Sequence, residues 1–171
     1  SIPAIIIGFF LKSSIEKTSM SLFYIGISLL ITTILLLISS YFIKKATSND
    51  INYFNALSLG FSQSVALIPG ISRMGTVMTC GLISGINIRK VLDFSFLMYL
   101  VVSMGSFILS IPNVVNINKT LIPYYLVSFI VTFIVTYFSI NWFYNIINKN
   151  SILVFSVYTL ILGIILIFVG I

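Results

Sequence analysis

YFNALSLGFSQSVALIPGISRMGTVMTCGLISGIN, residues 53–87, is too apolar for a surface loop and too broken for one helix. Its first apolar piece, roughly 53–66, would measure only ~21 Å as a helix. The second, roughly 76–86, is shorter still, and a membrane core is ~30 Å thick. Between them lie the breaker pair Pro69-Gly70 and a charge, Arg73. Two half-length helices about a broken centre predict a re-entrant hairpin. Irregular backbone at membrane depth is tolerated only where it is buried in protein or lines a wet cavity. This segment is therefore the candidate site.

Outward from it, the chain alternates long apolar runs with short polar ones. Spans are expected at 19–43, 91–111, 121–145 and 152–170. The loops between are KSSIEKT at 12–18, KKATSNDIN at 44–52, Ile88-Arg89-Lys90, Pro112 to Thr120, and Ile146 to Ser151. Ser and Thr inside 19–43 can bond back to helix carbonyls, so they are tolerable in lipid. Residues 2–11 are apolar but too few to span, and are expected to be the tail of an earlier helix. With Ser1 first and no charged leader, the chain reads as one membrane domain, 1–171, of a longer protein. Trp142, Tyr124, Tyr125 and Tyr144 lie near span ends, as interfacial aromatics do.

Composition agrees. Of 171 residues, 59% are hydrophobic and 7% charged, with 9 Lys+Arg, 3 Asp+Glu and no His. A soluble domain is about 25% charged, so an ordinary soluble protein is excluded. The expected fold is an all-α polytopic transmembrane bundle with a re-entrant helix hairpin. The net charge of +6 comes from thinly spread cations, which read as loop charges rather than a nucleic-acid surface. They divide 5 against 3 between the two faces whether 53–87 returns or crosses, so orientation is not set. Cys80 is the single cysteine, so no internal disulfide can form.

Arg73 carries the chemistry. A charge at that depth costs at least ~2.5–3.5 kcal/mol, and its guanidinium fork matches phosphate oxygens. Ser72 and Thr76 add hydroxyls. Gly70 and Gly75 allow close backbone approach and positive φ. A helix entered at about Thr76 would aim free N–H groups at an anion. Together these predict an oxyanion site, most plausibly for phosphate. The alternative is structural: Arg73 tying the loop tip to neighbouring carbonyls, and Ser72 acting as a helix cap. Gln63 either faces the site or hydrogen-bonds across helices, and Ser62 and Ser64 read as packing residues. Glu16 and Asp50 fall in loops. Asp93 can pair with Arg89 at i, i+4. No metal cluster can be assembled from these acids.

The run Gly60-x-x-Gln63-x-x-Ala66-Leu67-x-Pro69-Gly70-x-Ser72-Arg73-x-Gly75, then Gly81, Gly85 and Phe94-Ser95-Phe96-Leu97, resembles the bacterial undecaprenyl-diphosphate phosphatase family. This is the bacitracin-resistance type, which recycles the lipid carrier of cell-wall synthesis. Ile2-Pro3-Ala4 resembles it too. The family's usual block is Pro-Gly-x-Ser-Arg-Ser-Gly-x-Thr. Here Met74 stands at the second Ser and Val77 at the Thr, with Thr76 one residue earlier.

The resemblance implies a multi-pass enzyme of the bacterial inner (cell) membrane that hydrolyses undecaprenyl diphosphate. It implies catalytic roles for Arg73, Ser72 and Thr76 and substrate binding by Gly70, Gly75 and Gln63. The partners are a polyprenyl diphosphate and membrane lipids, with no nucleic acid, and a homodimer is one assembly open to such a chain. A divalent cation, Mg²⁺ or Ca²⁺, is implied, with no ligand in this chain. The family's Glu-x-x-x-Glu motif and nearby His belong to an earlier hairpin of an inverted repeat, and nothing here matches them. This chain is then expected to be the phosphate-binding half, inactive alone. The rival readings are a transporter or polyprenyl-phosphate translocase with an anion site at a broken helix, and a purely structural or decayed product.

Overall fold

The computed structural model describes residues 21–115, 119–148 and 152–170. The expected features at 2–11 and 12–18, the Ile2-Pro3-Ala4 motif, Glu16 and Lys149 lie outside them. The described residues form helices α1 (Leu22–Phe42), α2 (Tyr53–Val65), α3 (Arg73–Ile83), α4 (Ile88–Val115), α5 (Ile122–Asn148) and α6 (Ile152–Val169). A single 3₁₀ turn, Lys119–Leu121, precedes α5. This is an all-α polytopic bundle. Four helices, α1, α4, α5 and α6, are long and apolar enough to cross a membrane.

Several boundaries differ from the sequence expectation: the expected loop Ile88-Arg89-Lys90 is the first turn of α4, and α5 runs on through Ile146 to Asn148. Helix α3 starts at Arg73, not near Thr76, because Ser72 caps it. Helix α4 runs through Pro112 to Val115. A proline costs a helix one N–H bond, which a membrane helix tolerates when neighbouring groups re-satisfy the freed carbonyl.

Helices α1 and α6 lie antiparallel in close contact. A Cβ added at Gly26 would come within 2.9 Å of the Gly163 carbonyl, and one at Gly163 within 3.1 Å of the Gly26 carbonyl. Lipid tails are as apolar as leucine, so membrane helices gain by backbone approach at small residues and by hydroxyl bridges. Thr33 and Thr159 supply such a bridge at 2.9 Å, while Thr33 also bonds back to the Leu29 carbonyl at 3.0 Å.

The short helices α2 and α3 form a hairpin. Asn52 caps α2 by accepting the Asn55 amide at 2.8 Å. At the far end of α3, Gly85 adopts φ +80°. The Gly85 and Ile86 amides then bond back to the carbonyls of Leu82 and Gly81, which closes the helix as a left-handed cap does. The chain following α1 pairs with this corner: the Ser48 amide bonds to Gly85 O at 3.0 Å and the Asn87 amide to Ser48 O at 2.7 Å.

Two apolar clusters hold the hairpin. One joins α2, α3 and α4 through Leu59, Val77, Val91 and Met98. The other joins α1, α3, α4, α5 and α6 through Leu36, Met78, Leu92, Ile147 and Ile152. Among the described residues, helix α5 packs on the rest of the bundle near its C-terminal end, where Phe143 stacks edge-on with Phe155 at 6.0 Å. Its remaining apolar length faces outward, as suits a helix in lipid. The chain is a multi-pass membrane protein.

Candidate functional site: the Pro-Gly-Ile-Ser-Arg loop

The loop between α2 and α3 is a sequence of tight turns. Amides of Leu67 and Ile68 bond to the carbonyls of Ser64 and Val65, and the Ile71 amide to Ile68 O at 3.1 Å. Pro69 and Gly70 occupy the central positions of that last turn, and Gly70 has φ +90°. Proline followed by a glycine at positive φ is the pattern of a type II turn. Gly70 is also held close: a Cβ there would lie 2.9 Å from Ile25 O and 2.8 Å from Ser28 Cβ on α1.

The loop is tied to the midpoint of α1. Thr32 donates its hydroxyl to Gly70 O at 3.0 Å and accepts the Ser72 amide at 3.0 Å. One helical turn and more along α3, Thr79 bonds Ser39 at 2.8 Å and the Leu35 carbonyl at 2.9 Å. The hydroxyls of α1 are therefore not only self-bonded. Two of them, Thr32 and Ser39, fix the hairpin.

Ser72 is the N-cap of α3. Its Oγ accepts the Gly75 amide at 3.0 Å, and its carbonyl the Thr76 amide at 3.0 Å. A helix leaves its first N–H groups without internal acceptors. Ser72's amide goes to Thr32 and Gly75's to Ser72, so the amides of Arg73 and Met74 are the first-turn donors left over. The Ser72 hydroxyl hydrogen is likewise free to donate, since its oxygen is the acceptor in the cap.

Arg73 opens the helix. Its Nη1 is buried and has no hydrogen-bond partner. Its Cζ lies 5.3 Å from the centre of the Tyr99 ring on α4. A cavity of about 280 Å³ adjoins it, lined by Arg73, Met74, Ser95, Phe96 and Tyr99. Gln63 is 2% exposed, and its Oε1 also lacks a partner. Leu59 and Val77 meet in one cluster. One turn towards the loop from each stand Gln63 and Arg73, on the two arms of the hairpin.

Thr76 is placed differently from the expectation. It is buried, and its hydroxyl donates back to Arg73 O at 2.9 Å, which turns it away from an anion. Gly75 is helical rather than at positive φ. A Cβ there would stand 3.3 Å from Ser72 Oγ and crowd the cap. Met74 borders both the Arg73 cavity and a second one of about 180 Å³ that reaches Thr32, Ser72 and Gly75. Asp93 accepts a hydrogen bond from the Tyr144 hydroxyl. Among the described residues no group of His, Cys, Asp or Glu could hold a metal ion. The described residues therefore do not fit the divalent cation implied by the resemblance.

Two participants were not singled out in the sequence. By sequence alone Thr32 is one of several hydroxyls tolerable in a span, and Tyr99 one of many aromatics. Thr32-Thr33, a polar pair at the centre of a span, was the available signal for the first. For Tyr99 the sequence held none.

Comparison with known proteins gives a consistent answer. The family model described as bacitracin resistance protein BacA matches residues 1–165. Among similar proteins, "Undecaprenyl-diphosphatase 2" of Bacillus thuringiensis (strain Al Hakam) is 39% identical over 167 residues, covering 96% of this chain and 62% of that protein. "Undecaprenyl-diphosphatase" of Bacillus subtilis (strain 168) is 33% identical over 173 residues, covering 98% and 63%. The chain thus spans a little under two thirds of the length of the curated relatives it matches.

Proposed function

Because this chain belongs to the BacA family of bacitracin resistance proteins, we propose that it forms the phosphate-binding part of an undecaprenyl-diphosphate phosphatase. The reaction is hydrolysis of the lipid diphosphate to the monophosphate and inorganic phosphate, in lipid-carrier recycling at the bacterial cell membrane. Water adds to the terminal phosphorus. The bond from that phosphorus to the bridging oxygen breaks, and the lipid monophosphate leaves.

The observation that carries the reading is the buried, unpartnered Nη1 of Arg73 at the first turn of a capped helix. An unpaired donor of a charged group in a membrane protein is costly unless a ligand satisfies it. Phosphoryl transfer needs little covalent help from the protein and much positioning and charge stabilisation. Arg73 supplies the charge, and the amides of Arg73 and Met74 with the helix dipole supply fixed donors. The Ser72 hydroxyl supplies a third donor. Thr76 and Gly75 serve the helix turn that presents them. The polyprenyl tail lies along the outward apolar helices.

A divalent cation, with the acidic residues that would hold it, is proposed to belong to the part of a full-length protein that this chain does not cover. No step here runs through it. The 171 residues alone are accordingly proposed to be inactive.

The test is phosphate release from undecaprenyl diphosphate by the full-length protein in proteoliposomes. Arg73→Ala is expected to lose about 1000-fold or more in kcat while remaining folded and monodisperse. Wild-type turnover in that variant would overturn the assignment. Transfer of the lipid phosphate between leaflets without phosphate release would favour the translocase reading instead.

A further inference from the structure

We infer that Thr32, on a different helix from the loop, is a positioning residue for this phosphate site. The inference rests on the phosphatase reading above. Its hydroxyl has one proton and spends it on Gly70 O; its oxygen accepts the Ser72 amide. The single side chain therefore pins the loop on both sides of Ile71, directly before the cap that starts α3. Thr32 is 1% exposed, so water does not stand in for it.

The bridge decides which donors face the substrate. With the Ser72 amide turned to Thr32, the groups left are the Ser72 hydroxyl and the amides of Arg73 and Met74. Without it, the Ser72 amide and Gly70 carbonyl would each need another partner, and the turn would rotate to find one. Ser72 and Arg73 would move with that rotation. The neighbouring Thr33 does something else: it joins α1 to α6 through Thr159. Thr79 ties the body of α3 to α1 through Ser39 and Leu35. Among these hydroxyls, Thr32 is the one bonded to the loop backbone.

The test compares Thr32→Val, Thr32→Ser and Arg73→Ala in the full-length protein. Displacing aligned groups by about 1 Å can cost about 100-fold in rate. Thr32→Val is expected to lower kcat about 100-fold while KM changes less than about threefold, the split that marks lost alignment rather than lost binding. Thr32→Ser keeps the hydroxyl and is expected within about threefold of wild type. If Thr32→Val does not fold, Thr32→Ala serves in its place, since it also removes the hydroxyl and adds no bulk to the site. Hydrogen exchange at the Ser72 amide is read in parallel, and is expected to rise at least about tenfold in the Val or Ala variant but not in Ser.

Normal turnover in Thr32→Val beside a dead Arg73→Ala overturns the positioning role and leaves the phosphatase reading standing. Unchanged exchange at Ser72 overturns it as well. Faster exchange in Val but not Ser, in a protein that releases no phosphate even as wild type, supports the clamp and removes the phosphatase reading.

Discussion

The guanidinium carbon of Arg73 lies 5.3 Å from the centre of the Tyr99 ring, across the gap between α3 and α4. The ring face is electron-rich, and a cation set over it is held by about 0.5–2 kcal/mol, depending on how dry the site is. Tyr99 thus orients the Arg73 guanidinium without neutralising it, as a carboxylate would. Tyr99→Phe keeps the face and is expected to turn over nearly normally. Tyr99→Leu removes it, and kcat should fall about tenfold, the equivalent of about 1.4 kcal/mol. Equal rates in both variants would show that the contact does not orient Arg73.

Ser72 joins two roles that substitution can separate. As a cap it contributes about 0.5–2 kcal/mol. As a donor to phosphate it contributes to the rate. Ser72→Asp is a good cap by the same rule but brings a negative charge to the site. It is expected to retain thermal stability near wild type and to lose turnover almost completely, while Ser72→Ala loses some of both. Stability and activity falling together in every variant would mean that Ser72 is a cap only.

Gly70 tests the turn. Its φ of +90° and the 2.9 Å approach to Ile25 O leave no place for a side chain. Gly70→Ala should lower the midpoint of thermal unfolding and reduce turnover more than Gly85→Ala does. Gly85 has a similar φ of +80°, but a Cβ there would meet nothing within 4 Å. Both variants carry the backbone strain; only Gly70 adds the collision with α1. Equal effects would place the importance of Gly70 in its dihedral angle alone.

The hairpin was legible because two independent signals coincided. Apolar runs at 53–66 and 76–86 are too short to span, and Pro69-Gly70 separates them. The long apolar helices were legible because ~30 Å of hydrocarbon demands ~20 apolar residues. What escaped was contact across helices. Nothing in the one-dimensional pattern distinguishes Thr32, which reaches the loop, from Thr33, which reaches α6. The placement of Thr76 was not legible because α3 begins at Arg73, three residues before the expected start; its hydroxyl then falls within reach of the Arg73 carbonyl and bonds there. Met74 and Val77, where the family pattern has hydroxyls, leave Ser72 as the hydroxyl of this block whose proton is not spent on α3.

Gln63 gives the sharpest separation between a site residue and a packing residue. Its Oε1 is buried without a partner, and such an acceptor costs about 1–3 kcal/mol. Replacing it by an apolar side chain of similar size removes that cost. Gln63→Leu is therefore expected to be at least as stable as wild type in the absence of substrate. Its turnover should nonetheless fall by about tenfold, because an amide oxygen accepts and would hold the attacking water by one of its protons, whereas an anionic phosphate has none to give. A buried carboxamide oxygen that destabilises the resting protein and assists the reaction is what a group holding the attacking water requires. A drop in thermal stability with unchanged turnover would show the reverse: that Oε1 is satisfied within the full-length protein and holds helices together.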